Sequence, residues 1–153
     1  MEYKKIMVTL DGSTFAAQAL PHAEALAALH QAELILLEVV PDASSPAQVL
    51  GETRNIMHID ERQEHFIDEA TQKLEDLAEE LHLRQIKATP VIKIGHPAAT
   101  IIDYAKEAGV DVIVMSTHGR TGLARWVYGS VADKVLKAAP CPVLLVRAKL
   151  DSG

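Results

Sequence analysis

Residues 110–130 read VDVIVMSTHGRTGLARWVYGS, and this stretch decides the fold. Its first six residues are nearly all apolar, which is typical of a strand buried inside a sheet. A loop punctuated by glycine follows, and the residues from Val131 to Ala139 then show helical spacing. A strand that leads through such a loop into a helix often holds phosphate. Glycine admits a ligand close to the backbone, and the N–H groups of the helix start face the anion.

The end of this loop, Gly129–Ser130, has two interpretations. In the first, backbone donors, a hydroxyl and the positive end of the helix dipole together hold an anion. In the second, the pair forms an ordinary turn in which Ser130 is the N-cap of the helix. The loop lacks both the Gly-Lys-Ser/Thr of a P-loop and the three close glycines of a dinucleotide fold. Typical P-loop NTPases and nicotinamide enzymes are therefore disfavoured.

Outward from this stretch, strands and helices alternate along the chain. The predicted strands cover Ile6–Leu10, Glu33–Val40, Ile86–Ile94, 111–115 and 142–147. The predicted helices cover Phe15–His30, Ile59–Leu83, Ala98–Ala108 and the segment that ends at Ala139. A long loop is predicted over 41–57, where Ser, Pro and Gly interrupt the pattern.

Three details refine these elements. Pro21 either kinks the first helix or marks its true first turn. Pro90 and its polar neighbours indicate an edge position for the third strand. The long charged helix is predicted to bury one face, formed by Phe66, Ala70, Leu74, Leu77, Ala78 and Leu81. His58 and His65 on this helix fit either a metal site or a solvated face, and the solvated face is the simpler interpretation.

Apolar strands with little alternation, separated by helices, indicate a parallel sheet that is buried on both faces. We predict one α/β domain over residues 1–153, with helices on both faces of a Rossmann-like, doubly wound, five-stranded parallel sheet of order 3-2-1-4-5. Such sheets bind ligands beyond the carboxyl ends of their strands, where the winding direction switches. Asp11 and Ser116 follow the first and fourth strands, so they would meet there if those two strands are neighbours.

Composition excludes several classes of protein. The 153 residues carry a net charge of −6, which argues against a nucleic-acid partner, because binding to phosphate backbones depends on Lys and Arg. The single cysteine, Cys141, excludes an intramolecular disulfide. The start of the chain has no apolar targeting segment, and no stretch reaches the length of a membrane span. We therefore expect a cytoplasmic protein with no membrane partner.

The order of these motifs resembles the universal stress protein family over roughly residues 3–147. The resemblance rests on the first two strands, the turn Gly95-His96-Pro97, the glycine loop and the final apolar strand. Nucleotide-binding members of the family have Gly, two residues, Gly, nine residues, and then Gly followed by Ser or Thr. This chain reads Ser116, two residues, Gly119, nine residues and Gly129–Ser130. Only the first position departs from the pattern. Serine adds a side chain where the family brings its backbone close to the ligand, but the Ser116 hydroxyl could donate to the ligand. We therefore expect binding to be retained but weakened.

The resemblance implies a role for each matching position. Asp11 would lie beside the ribose or a phosphate-bound metal, and the backbone of Val40 would pair with adenine. The phosphates would be held by N–H groups and a hydroxyl from Gly119, Gly129, Ser130 and Val131. Asp11 has a structural alternative, a turn with Gly12 and Ser13 or a cap on the first helix. His118 and Arg120 flank Gly119 as phosphate contacts or, more simply, as solvated loop residues.

The resemblance implies a homodimeric stress-response regulator that binds ATP, or AMP or ADP, with or without Mg²⁺, and has little or no turnover. Family dimers commonly pair the last strand, here 142–147, and the sequence does not identify client proteins. Two alternatives stay open, a nucleotide-independent dimeric interaction module and a slow ATPase or nucleotidyl-transfer enzyme. We expect Gly129→Asp to abolish binding while leaving the fold intact.

Overall fold

The computed structural model describes residues 1–42, 56–117 and 129–149, without the side chains of 56–60. Its strands are β1 Lys5–Leu10, β2 Glu33–Val40, β3 Ala88–Ile94, β4 Val112–Ser116 and β5 Val143–Val146. Its helices are α1 Thr14–Ala17, α2 Leu20–His30, α3 Ile56–Leu83, α4 Pro97–Ala108 and α5 Ser130–Ala138. The strands form a parallel sheet of order β3-β2-β1-β4-β5. The predicted fold class and strand order are confirmed.

Helices cover both faces of the sheet. Successive strand residues point to opposite faces, so the sheet contributes side chains to two buried clusters. One buried cluster joins Ile6, Val8, Leu34 and Leu36 of the sheet to Ala23 and Ala27 of α2 and to Leu74 and Leu81 of α3. The other joins Met7, Ile35, Leu37 and Ile113 to Ile101 and Ala105 of α4 and to Ala132 and Val135 of α5. The winding direction therefore switches between β1 and β4. Within the described ranges, no helix is both long enough and apolar enough to cross a bilayer.

The helix predicted over Phe15–His30 is two helices. The short α1 ends at Ala17, and α2 begins at Leu20 with Pro21 in its first turn. A proline is tolerated there because the first N–H groups of a helix have no intrahelical acceptor. The structure thus confirms the interpretation that Pro21 marks the true first turn of a helix.

The edge position of β3 is also confirmed. The Gly95 N–H donates to the Val40 carbonyl at 3.0 Å, so the odd-numbered residues of this region turn their backbone groups toward β2. Pro90, as an even-numbered residue, therefore faces the open side of the strand. The missing N–H of proline thus falls where β3 has no neighbouring strand.

The long helix α3 begins at Ile56, three residues before the predicted start, so residues 56–57 of the predicted loop are helical. The rest of that loop, over 43–55, lies outside the described residues. At 28 residues, α3 is about 42 Å long, whereas the eight residues of β2 span only about 26 Å. The Gln63 side chain donates to the Pro41 carbonyl just past β2, so the first turns of α3 extend beyond the sheet. Phe66 lies near that end and is 59% exposed, so the prediction that it is buried is wrong.

The Asp111 carboxylate joins the amino ends of β1 and β4. Its Oδ2 accepts hydrogen bonds from the backbone N–H groups of Lys4 and Lys5, at 2.7 and 2.9 Å. These donors, chiefly the Lys5 N–H and then the Lys4 N–H, lower the pKa of Asp111 below its ordinary value. The stabilisation from this carboxylate is therefore present above the pKa of an unfolded aspartate, about 3.9, and is lost as pH falls through the lower folded pKa.

We expect Asp111→Asn to lower the free energy of unfolding by about 1 kcal/mol at pH 7, because a neutral amide accepts these hydrogen bonds more weakly. The deficit should shrink in acid, where the wild-type carboxyl also becomes neutral. Urea denaturation at pH 7 and pH 3 measures both effects. Asp103→Asn, at an exposed position on α4, is the matched control. An equal deficit at both pH values would contradict the assignment.

Candidate functional site

The site predicted at the switch point lies between β1 and β4. The register of these two strands ends at the pair Val8 and Val114, and their chains continue separately beyond it. Asp11 follows β1, and Ser116 is the last residue of β4. The structure thus brings the carboxyl ends of both strands to one side of the sheet, where doubly wound folds hold ligands.

Asp11 forms the turn that leads into α1. Its Oδ1 accepts a hydrogen bond from the Ser13 N–H at 2.9 Å, and Ser13 Oγ then caps α1 by accepting from the Ala16 N–H at 3.1 Å. The structural alternative for Asp11 is confirmed in this geometry. The side chain is still partly exposed beside the switch point, so a ligand contact stays a prediction.

Glu38 borders the same turn and was not predicted as a site residue from the sequence. A Cβ at Gly12 would lie 3.7 Å from Glu38 Oε1, so this carboxylate lies against the turn that Asp11 forms. Its position could have been inferred from the register, because Glu38 pairs with Leu10 at the end of β1. Asp11 and Glu38 thus place two carboxylates on the β1 side of the cleft.

The backbone of β2 distinguishes Val39 from Val40. The Glu33 N–H donates to the Lys4 carbonyl next to β1, whereas the Leu34 N–H donates to the Lys87 carbonyl next to β3. Odd-numbered residues of β2 therefore face β1, and even-numbered residues face β3. Accordingly, the Val40 carbonyl accepts the Gly95 N–H at 3.0 Å.

Val39 was not among the site residues predicted from the sequence. Its backbone groups face β1 by the same alternation, and the register of β1 with β2 ends one residue earlier, at Leu10 and Glu38. The strict alternation of parallel-strand backbone groups could have identified Val39 once the strand order was known.

The two ends of the glycine loop meet at a neck formed by Thr117 and Gly129. The Gly129 N–H donates to the Thr117 carbonyl at 2.8 Å. A Cβ on Gly129 would lie only 2.9 Å from that carbonyl oxygen, and the atom in the way belongs to the backbone. Gly129 is therefore required by a close approach of two backbone segments. The expectation that Gly129→Asp leaves the fold intact stays a prediction, and this contact adds a cost in stability to it.

The N-terminus of α5 projects from the neck toward the carboxyl side of the sheet. Gly129 is the N-cap, and Ser130 is the first helical residue, so the N-cap reading of Ser130 is wrong by one position. The first intrahelical bond that reaches back to the N-cap is made by the Asp133 N–H, which donates to the Gly129 carbonyl at 2.9 Å. The N–H groups of Ser130, Val131 and Ala132 precede it and point out of the helix end. Ser130 is exposed and Val131 is partly exposed.

The remaining predicted residues divide into two groups. Ser116 is described and is only 8% exposed at the end of β4. His118, Gly119 and Arg120 lie outside the described residues, so their roles stay predictions. The described residues on either side of this range, Thr117 and Gly129, are hydrogen-bonded to each other.

Among the described residues, neither a cysteine nucleophile nor a metal-binding group of side chains finds support. Burial, followed by the nearby Asp111 charge, raises the pKa of the Cys141 thiol, which is the opposite of what activates a nucleophile. Cys141 also precedes β5, at the amino side of the sheet. Over the parts of the chain that the structure describes, no three His, Cys, Asp or Glu side chains are grouped closely enough to hold a metal ion.

Comparison with known proteins adds independent information. A family model described as "Universal stress protein family" matches residues 2–147. Universal stress protein YxiE of Bacillus subtilis is 36% identical over 153 residues, covering 95% of this chain and 99% of that protein. Universal stress protein MJ0577 of Methanocaldococcus jannaschii is 33% identical over 156 residues, covering 96% of each chain. The solved structure of MJ0577 has a TM-score of 0.83 and covers 99% of this chain and 100% of its own, at 32% identity.

Two more distant solved structures share the fold. One is a universal stress protein in complex with cAMP, with 21% identity and a TM-score of 0.65 over 97% of this chain and 100% of its own. The other is the universal stress protein of Archaeoglobus fulgidus in complex with dAMP, with 19% identity and a TM-score of 0.65 over 96% of this chain and 100% of its own. Since the family model spans nearly the whole chain and full-length relatives exceed 30% identity, the protein belongs to the universal stress protein family.

Proposed function

We propose that this protein is a cytoplasmic, homodimeric regulator of the stress response that binds an adenine nucleotide, ATP before AMP or ADP, with little or no turnover. The observation that carries the proposal is the end of α5, where three outward N–H groups and the Ser130 hydroxyl follow a neck that lies at the carboxyl end of β4, the neighbour of β1. Such an end is a favourable position for phosphate. Family members in complex with cAMP and dAMP support an adenine ligand on this fold.

Charge sets the direction of the nucleotide in the cleft. Asp11 and Glu38 place carboxylates on the β1 side, whereas the α5 end carries the positive end of a helix dipole. The phosphates therefore lie against Ser130 and Val131, and the ribose lies near Asp11. Mg²⁺ fits between the phosphates and the β1 side, since it prefers carboxylate and phosphate oxygens.

Adenine is then left on the side of β2, beyond the end of β1. We propose that it pairs with the backbone of Val39, in place of the Val40 that the resemblance implied. The Val40 carbonyl is bound to Gly95, whereas the Val39 groups face the space past Leu10. An adenine edge presents one donor and one acceptor, which matches a strand residue whose N–H and carbonyl point the same way.

The proposed homodimer forms through β5, the edge strand next to β4. An apolar edge strand needs a partner or a cover, and antiparallel pairing with a second copy supplies one. Leu144 of β5 is 39% exposed and Leu136 of α5 is 40% exposed, which are large values for leucines beside a core. Light scattering combined with size-exclusion chromatography tests this assembly, for which we expect the mass of two chains.

Ser116 favours a second candidate function, a nucleotide-independent dimeric interaction module. The side chain is nearly buried at the end of β4, at the position where nucleotide-binding relatives have glycine. If Ser116 filled the space that the ligand needs, the same fold and dimer could act on client proteins alone. Calorimetric titration with nucleotide separates the two functions.

Calorimetric titration of nucleotide-stripped protein with ATP and Mg²⁺ tests the proposal. We expect micromolar binding at one site per chain, about −8 kcal/mol, and weaker binding of AMP, because AMP has no β- and γ-phosphates to reach α5. GTP is the matched control for the adenine edge. Absence of heat with ATP, AMP and ADP would favour the interaction module. Stoichiometric release of phosphate or pyrophosphate over hours would instead favour the slow enzyme.

A further inference from the structure

A side chain with no role in the nucleotide proposal holds the segment that follows β5. We call residues 147–149 the strap. The Gln18 amide at the end of α1 donates through Nε2 to the Lys149 carbonyl at 2.8 Å and accepts the Lys149 N–H on Oε1 at 2.8 Å. One amide thus satisfies both backbone groups of one strap residue, as a neighbouring strand would. The contact joins positions 131 residues apart in the sequence.

Thr117 connects this strap to the neck of the glycine loop. Its N–H donates to the Val146 carbonyl at 2.9 Å, and its Oγ1 accepts the Ala148 N–H at 3.3 Å. Its carbonyl accepts the Gly129 N–H at 2.8 Å. All three polar groups of this nearly buried residue are therefore used, two on the strap side and one on the neck.

The neck tolerates little displacement. The backbone segments approach so closely that a single added Cβ at Gly129 would collide with the Thr117 carbonyl. A shift of Thr117 by a few tenths of an ångström would therefore move Gly129 and the start of α5. Thr117 is held from behind by β5, through the Val146 carbonyl, and by the strap, through the Ala148 N–H, so a displaced strap would disturb Thr117 and with it the neck.

We propose that Gln18 and Thr117 are positioning residues, which act through the strap to fix the neck and thereby the affinity of the α5 end for phosphate. The affinity part of this inference rests on the proposed nucleotide binding. The mechanical part does not, because it concerns hydrogen bonds that exist in the protein without ligand. Two measurements separate them.

Amide hydrogen exchange in the ligand-free protein, followed by NMR, tests the mechanical part. We expect Gln18→Ala to accelerate exchange at the Lys149 and Gly129 amides by roughly five- to tenfold, the value of about one hydrogen bond. The Met7 amide in β1 should keep its rate, which excludes a global loss of stability. Gln72→Ala is the matched control, because it removes another glutamine hydrogen bond, to Asp76 on α3. Acceleration at Lys149 alone, with Gly129 unchanged, would overturn the proposal.

Titration with ATP and Mg²⁺ tests the effect on affinity. Thr117→Val removes only the Oγ1 acceptor, and we expect it and Gln18→Ala to raise the Kd by roughly five- to tenfold. Thr117→Ser restores the hydroxyl and should restore the wild-type Kd, which a loss of packing alone would not do. Unchanged affinity in Gln18→Ala and Thr117→Val would overturn the positioning role. If wild-type protein bound no nucleotide, the proposed function would fail, while the exchange rates would still decide whether the strap fixes the neck.

Discussion

Ser130→Asp is expected to lower the affinity for ATP by roughly a hundredfold. Ser130 is the exposed first residue of α5, next to the N–H groups that we propose hold the phosphates. A carboxylate there would compete for those donors and repel the ligand. Two like charges about 4 Å apart near a protein surface repel by up to about 4 kcal/mol, which is enough for a hundredfold loss of about 2.8 kcal/mol.

Stability should respond in the opposite direction. An acidic residue at a helix N-terminus stabilises the helix by about 0.3–1 kcal/mol, because it complements the dipole. Repulsion from Asp133, three residues further on, offsets about 0.2–0.5 kcal/mol of this. We therefore expect an unchanged or slightly higher Tm together with a large loss of binding. That combination cannot arise from unfolding.

Ser130→Asn is the matched control, since asparagine has the size of aspartate without its charge. We expect it to bind ATP much more tightly than Ser130→Asp. Calorimetry and thermal denaturation of the three proteins give both quantities. Wild-type affinity in Ser130→Asp would remove the end of α5 from the binding site, and with it the central argument of the proposed function.

Gly129→Ala should reduce both stability and binding. Its backbone φ of −44° suits alanine, so the cost comes from contact alone. The added Cβ would stand 2.9 Å from the Thr117 carbonyl oxygen, and one of the two backbone segments must move. We expect a loss of about 1–3 kcal/mol in the free energy of unfolding, as for other overpacked positions. ATP affinity should fall at least roughly tenfold, because the displaced neck carries the first N–H groups of α5.

Gly109→Ala is a glycine control with a different physical cause. Gly109 ends α4 with a φ of +68°, and nothing lies within 4 Å of a Cβ built there. Alanine therefore costs about 1–2 kcal/mol of left-handed backbone strain without any collision. The position lies at the amino side of the sheet, so ATP affinity should stay at the wild-type value. If Gly129→Ala and Gly109→Ala had the same effect on binding, the neck would have no special role in the site.

The architecture could be read from local patterns because each pattern has one physical cause. Apolar runs such as Leu34–Leu37 are buried on both faces, which only a covered parallel sheet provides. Gly109 ends α4 in the left-handed conformation that glycine adopts at low cost. The element boundaries were less certain. Phe66 follows the apolar spacing of α3 yet is exposed, since spacing describes a helix face and not the length of sheet beneath it.

By itself, the sequence determined the family, the α/β class, the strand order and the convergence of Asp11 and Ser116 at one switch point. The α/β class follows from periodicity and chain order, which are local properties, whereas the family and the strand order follow from the resemblance of the motifs. Only the tertiary structure decided that Val40 is bound to Gly95, that Gly129 is required by the Thr117 carbonyl, and that Gln18 holds Lys149. Each of these is a contact between segments whose separation along the chain carries no periodic signal, and hydrogen bonds of this kind exist only once the sheet has brought the segments together.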